Sequence, residues 1–383
     1  MRITLIEIDY HAEVLRDFCV ILHECQIEIE LFTTKNLWNQ TGLAGYNLSG
    51  LRLHLIENRT KVRAEIKRGL EIIQSTDAIV FNTLGSYYRL FESIDFIPPV
   101  ILRVHNANTY FNPNPTIKLG RSRSEVWYSV KHIFWNTIGH LDWYYRRRFL
   151  QKVNYFIFPS EPILGFAMKY RPDLKSRMIQ FPIPMTFTKK DITRRLDDKK
   201  LSIVIAGIVD RKRRDYETVY QALKMLRDTR IRLVLLGKLH GSYAYNLVDR
   251  LRNLGEFLEV KSFRDFVPQA VYEAEICQAH FLLLPLRIKT TYHIYEEIYG
   301  QSKISGGESE MIKYSIPGII PKDYNISAEL KANALSYSNA EDLSLILKER
   351  AMKWHKQASV GPHSFNLQGI ADRVRDLLEE VTS

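Results

Sequence analysis

Short apolar runs alternate with amphipathic segments along almost the whole chain of 383 residues. The first run, Ile3–Ile8, is followed by a helical pattern at Ala12–Glu24 and by a second run at Ile27–Phe32. Short runs rich in Val and Ile favour buried strands, and apolar residues repeating every three or four positions favour helices. Residues 33–55 are less regular. Strands that alternate with helices predict an α/β fold of parallel sheets with right-handed crossovers.

The alternation is interrupted once, by a segment rich in proline and charge at residues 183–200. The run LSIVIAGIV then restarts it. Such a segment is typical of an interdomain linker. We therefore predict two Rossmann-like domains, residues 1–182 and 201–365, that face each other across a cleft, and a C-terminal helix in residues 366–383 that packs back on the first domain. In open parallel sheets, ligands bind beyond the carboxyl ends of the strands.

The stretch from Ser124 to Lys152 is predicted to form one long helix. Apolar residues at helical spacing indicate that one stripe is packed in the core: Trp127, Val130, Phe134, Ile138, Leu141 and Tyr145. Between residues 121 and 152, seven Lys or Arg residues stand against two Asp or Glu. Basic residues with aromatic neighbours suit an anionic membrane surface. A core helix with a solvated basic flank explains the pattern equally well.

The chain carries 54 Lys and Arg residues against 43 Asp and Glu, a net charge of +11. This balance favours an anionic partner: nucleic acid, a phosphorylated ligand or an acidic membrane surface. No nucleic-acid-binding motif accompanies the charge, so no nucleic acid is expected. The three cysteines, Cys19, Cys25 and Cys277, indicate a reducing compartment. Without a signal-peptide or membrane-span pattern, we predict a cytoplasmic protein, with peripheral contact to the inner face of the cell membrane.

Two strands of the second half end in glycine beside basic residues. Gly207 closes LSIVIAG and precedes Arg211, Lys212 and Arg213, and Gly237 closes IRLVLLG. Glycine at a strand end lets a ligand approach the backbone, and cations beside it bind phosphate. Each glycine alone is equally well explained by a tight turn, and the basic run by a solvated surface.

The segment SKISGGESE, which ends at Glu310, is the strongest candidate for a binding site. Ser305, Gly306 and Gly307 begin a short helix, and a helix N-terminus attracts anions. Lys303 adds a cation. Glu310, one turn inside the helix, is placed to accept hydrogen bonds from the hydroxyls of a ribose. The same residues satisfy ordinary capping rules, so a plain short helix is the alternative.

These residues make the second half, about residues 200–355, resemble the nucleotide-sugar domain of retaining GT-B glycosyltransferases. Those families carry a Glu-x7-Glu motif that leads into a Pro-containing strand entry. Glu310, seven residues before Pro317, matches the second, ribose-binding glutamate of that motif. The first glutamate falls on Ser302, which leaves Glu296 or Glu297 as candidates for its role.

The glycine after the first strand of the second domain is part of the same resemblance. Where the families have Gly-Arg, this chain has Gly207 and Ile208, and the downstream lysine of the families aligns with Arg213. The resemblance implies the GT-B architecture, a nucleotide-sugar donor and retention of configuration more than inversion. It implies no cofactor and no metal, and the sequence shows no His/Cys cluster or Asp-x-Asp pattern.

The first half supplies candidates for the acceptor side of the cleft. The resemblance implies that His105, at a strand end, lies beside the transferred sugar. Asp9 and His11 follow the first strand and are predicted to face the same crevice, with Asp9 as the base if the reaction inverts. We also predict acceptor binding by His11, Asn106 and Arg146, the last through the diphosphate of a lipid-linked acceptor.

The resemblance thus implies transfer of a sugar from a nucleotide sugar to a hydroxyl of a glycan or lipid-linked acceptor. Bacterial surface polysaccharide or lipopolysaccharide synthesis is the setting that it suggests. Three alternatives stay open: a nucleotide-sugar epimerase of the same fold, a non-catalytic GT-B-like protein and a nucleic-acid-binding protein. An epimerase needs no acceptor and therefore no basic aromatic helix at residues 121–152.

Overall fold

A computed structural model of the chain describes residues 1–118, 123–134, 141–181, 186–188, 196–197, 199–292, 294–350 and 365–382. It contains two parallel sheets of seven and six strands and one two-stranded hairpin. Helices connect consecutive parallel strands. The prediction of an α/β chain with two Rossmann-like domains is confirmed.

The sheet of the first domain has the strand order β3-β2-β1-β4-β5-β6-β7. Its strands are β1 (Arg2–Glu7), β2 (Glu28–Thr34), β3 (Leu51–Ile56), β4 (Ala78–Phe81), β5 (Val100–Arg103), β6 (Tyr155–Phe158) and β7 (Met178–Gln180). Its helices are α1 (Ala12–Glu24), α2 (Lys35–Thr41), α3 (Val62–Arg68), α4 (Leu70–Gln74), α5 (Tyr88–Glu92), α6 (Ala107–Phe111), α7 (Arg123–Phe134), α8 (Asp142–Lys152) and α9 (Glu161–Tyr170). Central strands are buried on both faces, which explains their continuous apolar runs.

The sheet of the second domain has the order β10-β9-β8-β11-β14-β15. Its strands are β8 (Leu201–Ala206), β9 (Ile231–Lys238), β10 (Leu258–Phe263), β11 (Phe281–Leu283), β14 (Gly318–Pro321) and β15 (Ala334–Tyr337). The hairpin is β12 (Lys289–Tyr292) and β13 (Tyr295–Ile298). The helices are α10 (Tyr216–Lys224), α11 (Gly241–Arg252), α12 (Gln269–Cys277), α13 (Gly306–Lys313), α14 (Ala340–Leu345) and α15 (Leu367–Thr382).

If the hairpin is left out of the numbering, the six strands of the second sheet have the same order as the first six strands of the first sheet. The first strand lies at the centre, and the chain direction across the sheet reverses between β1 and β4 and between β8 and β11. Such a switch point opens a crevice at the carboxyl ends of the two strands, where open α/β folds bind ligands.

The last helix of the chain packs on the first domain. The Cys25 thiol, at the end of α1, donates to the Ala371 carbonyl of α15 at 3.1 Å, and Arg375 Nε donates to the Cys25 carbonyl at 3.4 Å. Thr186, in the segment between the sheets, donates to Asp17 of α1 at 2.8 Å. None of the helices in the described ranges is long and apolar enough to span a membrane.

The prediction of one long helix from Ser124 to Lys152 is wrong. The structure has two helices there, α7 and α8, and residues 135–140 between them lie outside the described ranges. Leu141 enters α8 with a left-handed φ of 50°, a conformation that does not continue a right-handed helix.

The prediction that the apolar stripe of this stretch is core is also wrong. Trp127 is 71% exposed, Phe134 52% and Val130 46%. Leu141 is exposed as well, Tyr145 is half-buried, and Ile138 lies outside the described residues. Periodicity identifies the residues that share a helix face but not what covers that face. Here it marks an apolar surface of the first domain.

Candidate functional site

Glu7, at the end of β1, forms the floor of the first-domain crevice. Asn82 Nδ2 and Thr83 Oγ1, which follow β4, donate to its carboxylate at 2.7 and 2.6 Å. Burial raises the pKa of Glu7 to about 8, against these hydrogen bonds, and nearby Asp9 adds to the shift. The group is therefore mostly protonated at pH 7. Glu7 is not among the site residues predicted from the sequence.

The two histidines predicted for this crevice lie together. The rings of His11 and His105 stack with their centroids 4.9 Å apart, and His105 Nε2 lies 3.2 Å from the Asn82 carbonyl. Burial lowers the pKa of His11 to about 4 and holds the pKa of His105 well below its usual range. Both imidazoles are neutral at pH 7, and each has one donor and one acceptor nitrogen.

His11 also has an unusual backbone. Its φ of 64° and ψ of 48° place it in the left-handed region immediately before α1. A non-glycine residue in this region costs of order 1 kcal/mol, and such strain concentrates at functional sites. Here the conformation begins α1 at the crevice.

Asp9 lies in the same crevice, but its carboxylate is already engaged. Ser86 Oγ donates to one oxygen, and Arg59 Nη2 lies 3.3 Å from the other. The Asp9 side chain is buried. Both carboxylate oxygens therefore already have a partner within the described residues.

Gly207 and Gly237 meet in the second-domain crevice. Gly207 has a φ of 93°, and a Cβ atom on Gly237 would overlap the Gly207 backbone. Arg214 folds back over this contact and donates to the carbonyls of Ala206 and Ile208. Both glycines thus have a packing role, whatever ligand they meet.

The basic run after β8 forms a turn around Asp210. Its Oδ1 accepts from the backbone N–H groups of Lys212 and Arg213 at 2.8 and 2.9 Å. The side chains of Arg211, Lys212 and Arg213 are exposed. Arg213 interacts electrostatically with Lys303, so it faces the loop before α13. Burial lowers the pKa of Lys303 to about 8, and the charge of Arg213 adds to this shift.

The start of α13 has different roles for its three predicted residues. Ser305 is the N-cap, and its Oγ accepts from the Gly307 N–H at 3.2 Å. A Cβ on Gly307 would overlap Leu284, whereas one on Gly306 would meet nothing within 4 Å. Gly307 is therefore needed for packing, and Gly306 leaves open space at the positive end of the helix.

Glu310 is buried, and its Oε2 has no hydrogen-bond partner among the residues that the structure describes. Burial raises its pKa to about 7; Lys313 opposes the shift, and Glu13 and Asp17 of α1 add to it. Lys313 Nζ lies 3.1 Å from Asp17, which fixes α13 against the first domain. Arg16 Nη2, also on α1, is the second buried atom in this region without a partner within the described ranges.

A clasp of buried hydrogen bonds joins the domains beside this site. Glu297 of β13 accepts from the Thr109 N–H at 3.0 Å and Oγ1 at 2.7 Å, and from Ser302 Oγ at 2.5 Å. Lys303 Nζ donates to Asn106 Oδ1 at 2.6 Å. Asn106, predicted to bind the acceptor, therefore lies where the domains meet.

The two glutamates considered for the first motif position both contact the first domain. Ser302, which occupies that position, donates to Glu297. Glu296 pairs with Lys118 at 3.0 Å. Both carboxylates thus support the arrangement of the domains.

Arg146, the remaining predicted acceptor residue, lies apart from the histidines. It is buried in α8, with its guanidinium 5.7 Å from the ring centre of Tyr295. In the described part of the chain, no group of three His, Cys, Asp or Glu side chains is arranged to hold a metal ion.

No protein-family model matches the chain, and no curated protein matches it by sequence. Solved structures match it over its full length. Anabaena HepE in complex with UDP and glucose aligns with a TM-score of 0.57 and 11% identity over 99% of this chain and 100% of that one. The chain has the GT-B fold.

Two further structures are similar to the same degree. The lipopolysaccharide outer core galactosyltransferase WaaB aligns with a TM-score of 0.56 and 11% identity over 99% of each chain. UDP-GlcNAc 2-epimerase from Neisseria meningitidis, bound to UDP-GlcNAc, aligns with a TM-score of 0.56 and 11% identity over 99% of this chain and 100% of that one. Transferases and epimerases of this fold are therefore equally similar to the chain.

Proposed function

We propose that the protein is a glycosyltransferase that binds a nucleotide sugar between its domains and transfers the sugar to a hydroxyl of a glycan or lipid-linked acceptor. The buried Oε2 of Glu310, without a partner among the described residues, carries this proposal. An unsatisfied buried carboxylate is costly unless a ligand completes it. The hydroxyls of a ribose would donate the hydrogen bond that this oxygen lacks.

The position of Glu310 also assigns roles to the other residues predicted to bind the nucleotide sugar. The diphosphate lies against the start of α13 near Ser305, Gly306 and Gly307, where the helix dipole and the Gly306 N–H favour negative charge. Lys303 and Arg213 supply cations on the same side.

The basic turn and the two glycines complete the donor site in this proposal. Arg211 and Lys212 add positive charge, and the backbone at Gly207 and Gly237 borders the crevice. Because α1 covers Glu310, the donor enters when the domains open and is enclosed when they close.

In the reaction, the bond between the anomeric carbon and the diphosphate oxygen breaks and the acceptor oxygen bonds to that carbon. The cations stabilise the charge that develops on the leaving diphosphate. In a retaining reaction the acceptor proton passes to the departing diphosphate. The engagement of Asp9 by Arg59 and Ser86 favours retention, since inversion requires an available base. His105 and His11 are placed to hold sugar hydroxyls.

The exposed apolar face of α7 supports a lipid-linked acceptor and a peripheral position on the inner face of the cell membrane, as in bacterial surface polysaccharide or lipopolysaccharide synthesis. Trp127 is the most exposed member of that face. Aromatic and basic residues together bind anionic bilayers. We expect the protein to co-sediment with anionic vesicles and Trp127→Ser to reduce this binding; a wild-type protein that stays in the supernatant would contradict the membrane assignment.

An epimerase is the second candidate, since solved epimerases share the fold to the same degree. Proton NMR of a nucleotide sugar incubated with the protein and a lysate-derived glycolipid fraction distinguishes the two. Transfer releases nucleoside diphosphate, epimerisation yields a new nucleotide sugar, and Glu310→Ala abolishes either. An unchanged spectrum with every donor would contradict an enzymatic role.

A further inference from the structure

An open cavity of about 620 Å³ lies between α8, the loop after α6 and the hairpin β12–β13. Its lining includes Trp143, Arg146 and Arg147 of α8, Arg171 after α9 and Tyr295 of β13. Cavities of this size accommodate small organic ligands. It is separate from Glu310 and from the start of α13, none of which line it.

The charge of this cavity is positive. Among the described residues that line it there is no Asp or Glu. Arg171 is neutralised by Asp173, with two hydrogen bonds of 2.8 and 2.6 Å. Within the described ranges no ion pair joins Arg146 or Arg147 to an acidic residue, and both arginines line the cavity.

Arg146 is prepared for a ligand. It is about nine-tenths buried, and its Nε has no hydrogen-bond partner among the residues that the structure describes. Arg147 donates to the Pro113 carbonyl at 2.9 Å, and its guanidinium lies 5.6 Å from the ring centre of Trp143. Rings thus fix both guanidinium groups while several of their N–H donors stay available for an anion.

Part of the cavity's lining is apolar. Phe111, Pro113, Pro115 and Ile117 line it together with Trp143. A cavity lined both by two guanidinium groups and by rings and aliphatic groups matches a phosphate ester with an apolar substituent.

The cavity is connected to the proposed reaction centre by α6. Tyr110 and Phe111, at the end of that helix, line the cavity, while Asn106 at its beginning binds Lys303. Five helical residues span about 7 Å. A group attached to a phosphate in the cavity therefore reaches the cleft between the domains.

We propose that this cavity binds the diphosphate of an acceptor in which the diphosphate links an apolar chain to a hydroxyl-bearing group. The identity of this ligand as the acceptor rests on the proposed glycosyl transfer, but its binding is testable separately. Arg146 and Arg147 bind the diphosphate, and the wall around Trp143 contacts the first carbons of the chain.

The test uses geranyl diphosphate, geraniol and inorganic pyrophosphate as probes in isothermal titration calorimetry with the full-length protein. We expect geranyl diphosphate to bind, pyrophosphate to bind at least tenfold more weakly and geraniol not to bind. Arg146→Gln and Arg147→Glu, the latter at an exposed residue, should each lower the affinity for geranyl diphosphate at least tenfold. Lys67→Glu, a charge reversal on an exposed residue outside the cavity, should change this affinity less than twofold.

Three results would overturn the inference. Geranyl diphosphate affinity that survives both arginine variants would place the ligand elsewhere. A pyrophosphate affinity equal to that of geranyl diphosphate would show that the apolar lining residues contribute nothing to binding. Loss of binding in Glu310→Ala and Arg213→Gln instead would show that the probe occupies the nucleotide site. Nucleotide-sugar binding that persists in Arg147→Glu distinguishes failure of this inference from failure of the proposed function.

Discussion

Replacing Glu310 by glutamine removes a buried carboxyl group whose protonation is linked to folding. Burial raises its pKa from 4.5 to about 7 in the folded protein. Below pH 4.5 the group is protonated in both the folded and unfolded chains. Between pH 4.5 and 7 the unfolded chain ionises first, so stability falls as the pH rises. The free energy of unfolding therefore loses about 3 kcal/mol by pH 8 relative to strongly acidic solution.

Glutamine keeps the shape of the side chain but does not ionise. At pH 5 most of this loss has not yet occurred, so wild type and variant differ little through ionisation. The stability advantage of Glu310→Gln should grow by about 2–3 kcal/mol between pH 5 and pH 8. Urea denaturation of both proteins without ligand, at the two pH values, measures this change. Glu341→Gln, at an exposed position of α14, is the control and should show no such dependence.

The outcome that refutes this reasoning is a stability difference between wild type and Glu310→Gln that is the same at both pH values. It would mean that the carboxylate is ionised and paired in the folded protein. Its buried oxygen would then be unavailable to a ribose. The proposed function would lose its main support, the buried Glu310 oxygen without a partner among the described residues.

Three further predictions concern the loop before α13 and the domain contact. Gly307→Ala should lower the free energy of unfolding by about 1–2 kcal/mol because its Cβ overlaps Leu284. Gly306→Ala has open space around it, so it should change the free energy of unfolding by no more than about 0.5 kcal/mol in the same urea titration while weakening nucleotide-sugar binding. Equal stabilities of the two variants would contradict the packing role of Gly307. Glu297→Ala should destabilise the protein by about 2–4 kcal/mol, since it leaves buried donors on both sides of the clasp unsatisfied. The backbone N–H groups of α6 should also exchange their hydrogens faster. Unchanged exchange would argue against a clasp. Arg213→Gln should weaken nucleotide-diphosphate binding about tenfold in calorimetry without changing the affinity for the free nucleoside, and equal losses for both ligands would show that Arg213 does not contact phosphate.

The sequence predicted the sheets because their central strands are buried on both faces. The apolar run that contains β1 stands out for this reason. The edge strand β3 was missed although Leu51, Leu53 and Leu55 alternate with Arg52 and His54, which is a strand pattern. The apolar stripe of α7 was misassigned because its spacing is that of a packed helix, but Trp127 faces solvent.

The candidate site was predictable where neighbouring residues define it. The capped start of α13 and the position of Glu310 follow from one short segment. Glu7 was missed because its partners are distant in sequence: Asn82 lies 75 residues away and Thr83 76. A single acidic residue at the end of an apolar run was its only local signal.

The contact between the domains was equally hidden. Glu297 meets Thr109 across 188 residues, and no local pattern indicates such a pair. The hairpin that carries Glu297 pairs Thr290 with Glu297 and Thr291 with Glu296, so both of its faces carry polar residues and neither strand nor helix periodicity identifies it.

Calorimetric binding of UDP-, GDP-, CMP- and dTDP-sugars to wild type, Glu310→Ala and the control Glu341→Ala is the decisive test of a donor site at Glu310. We predict that one nucleotide class binds wild type and the control equally and that its affinity falls at least tenfold in Glu310→Ala. Absence of binding by every nucleotide sugar, or binding that is unchanged in Glu310→Ala, would contradict it.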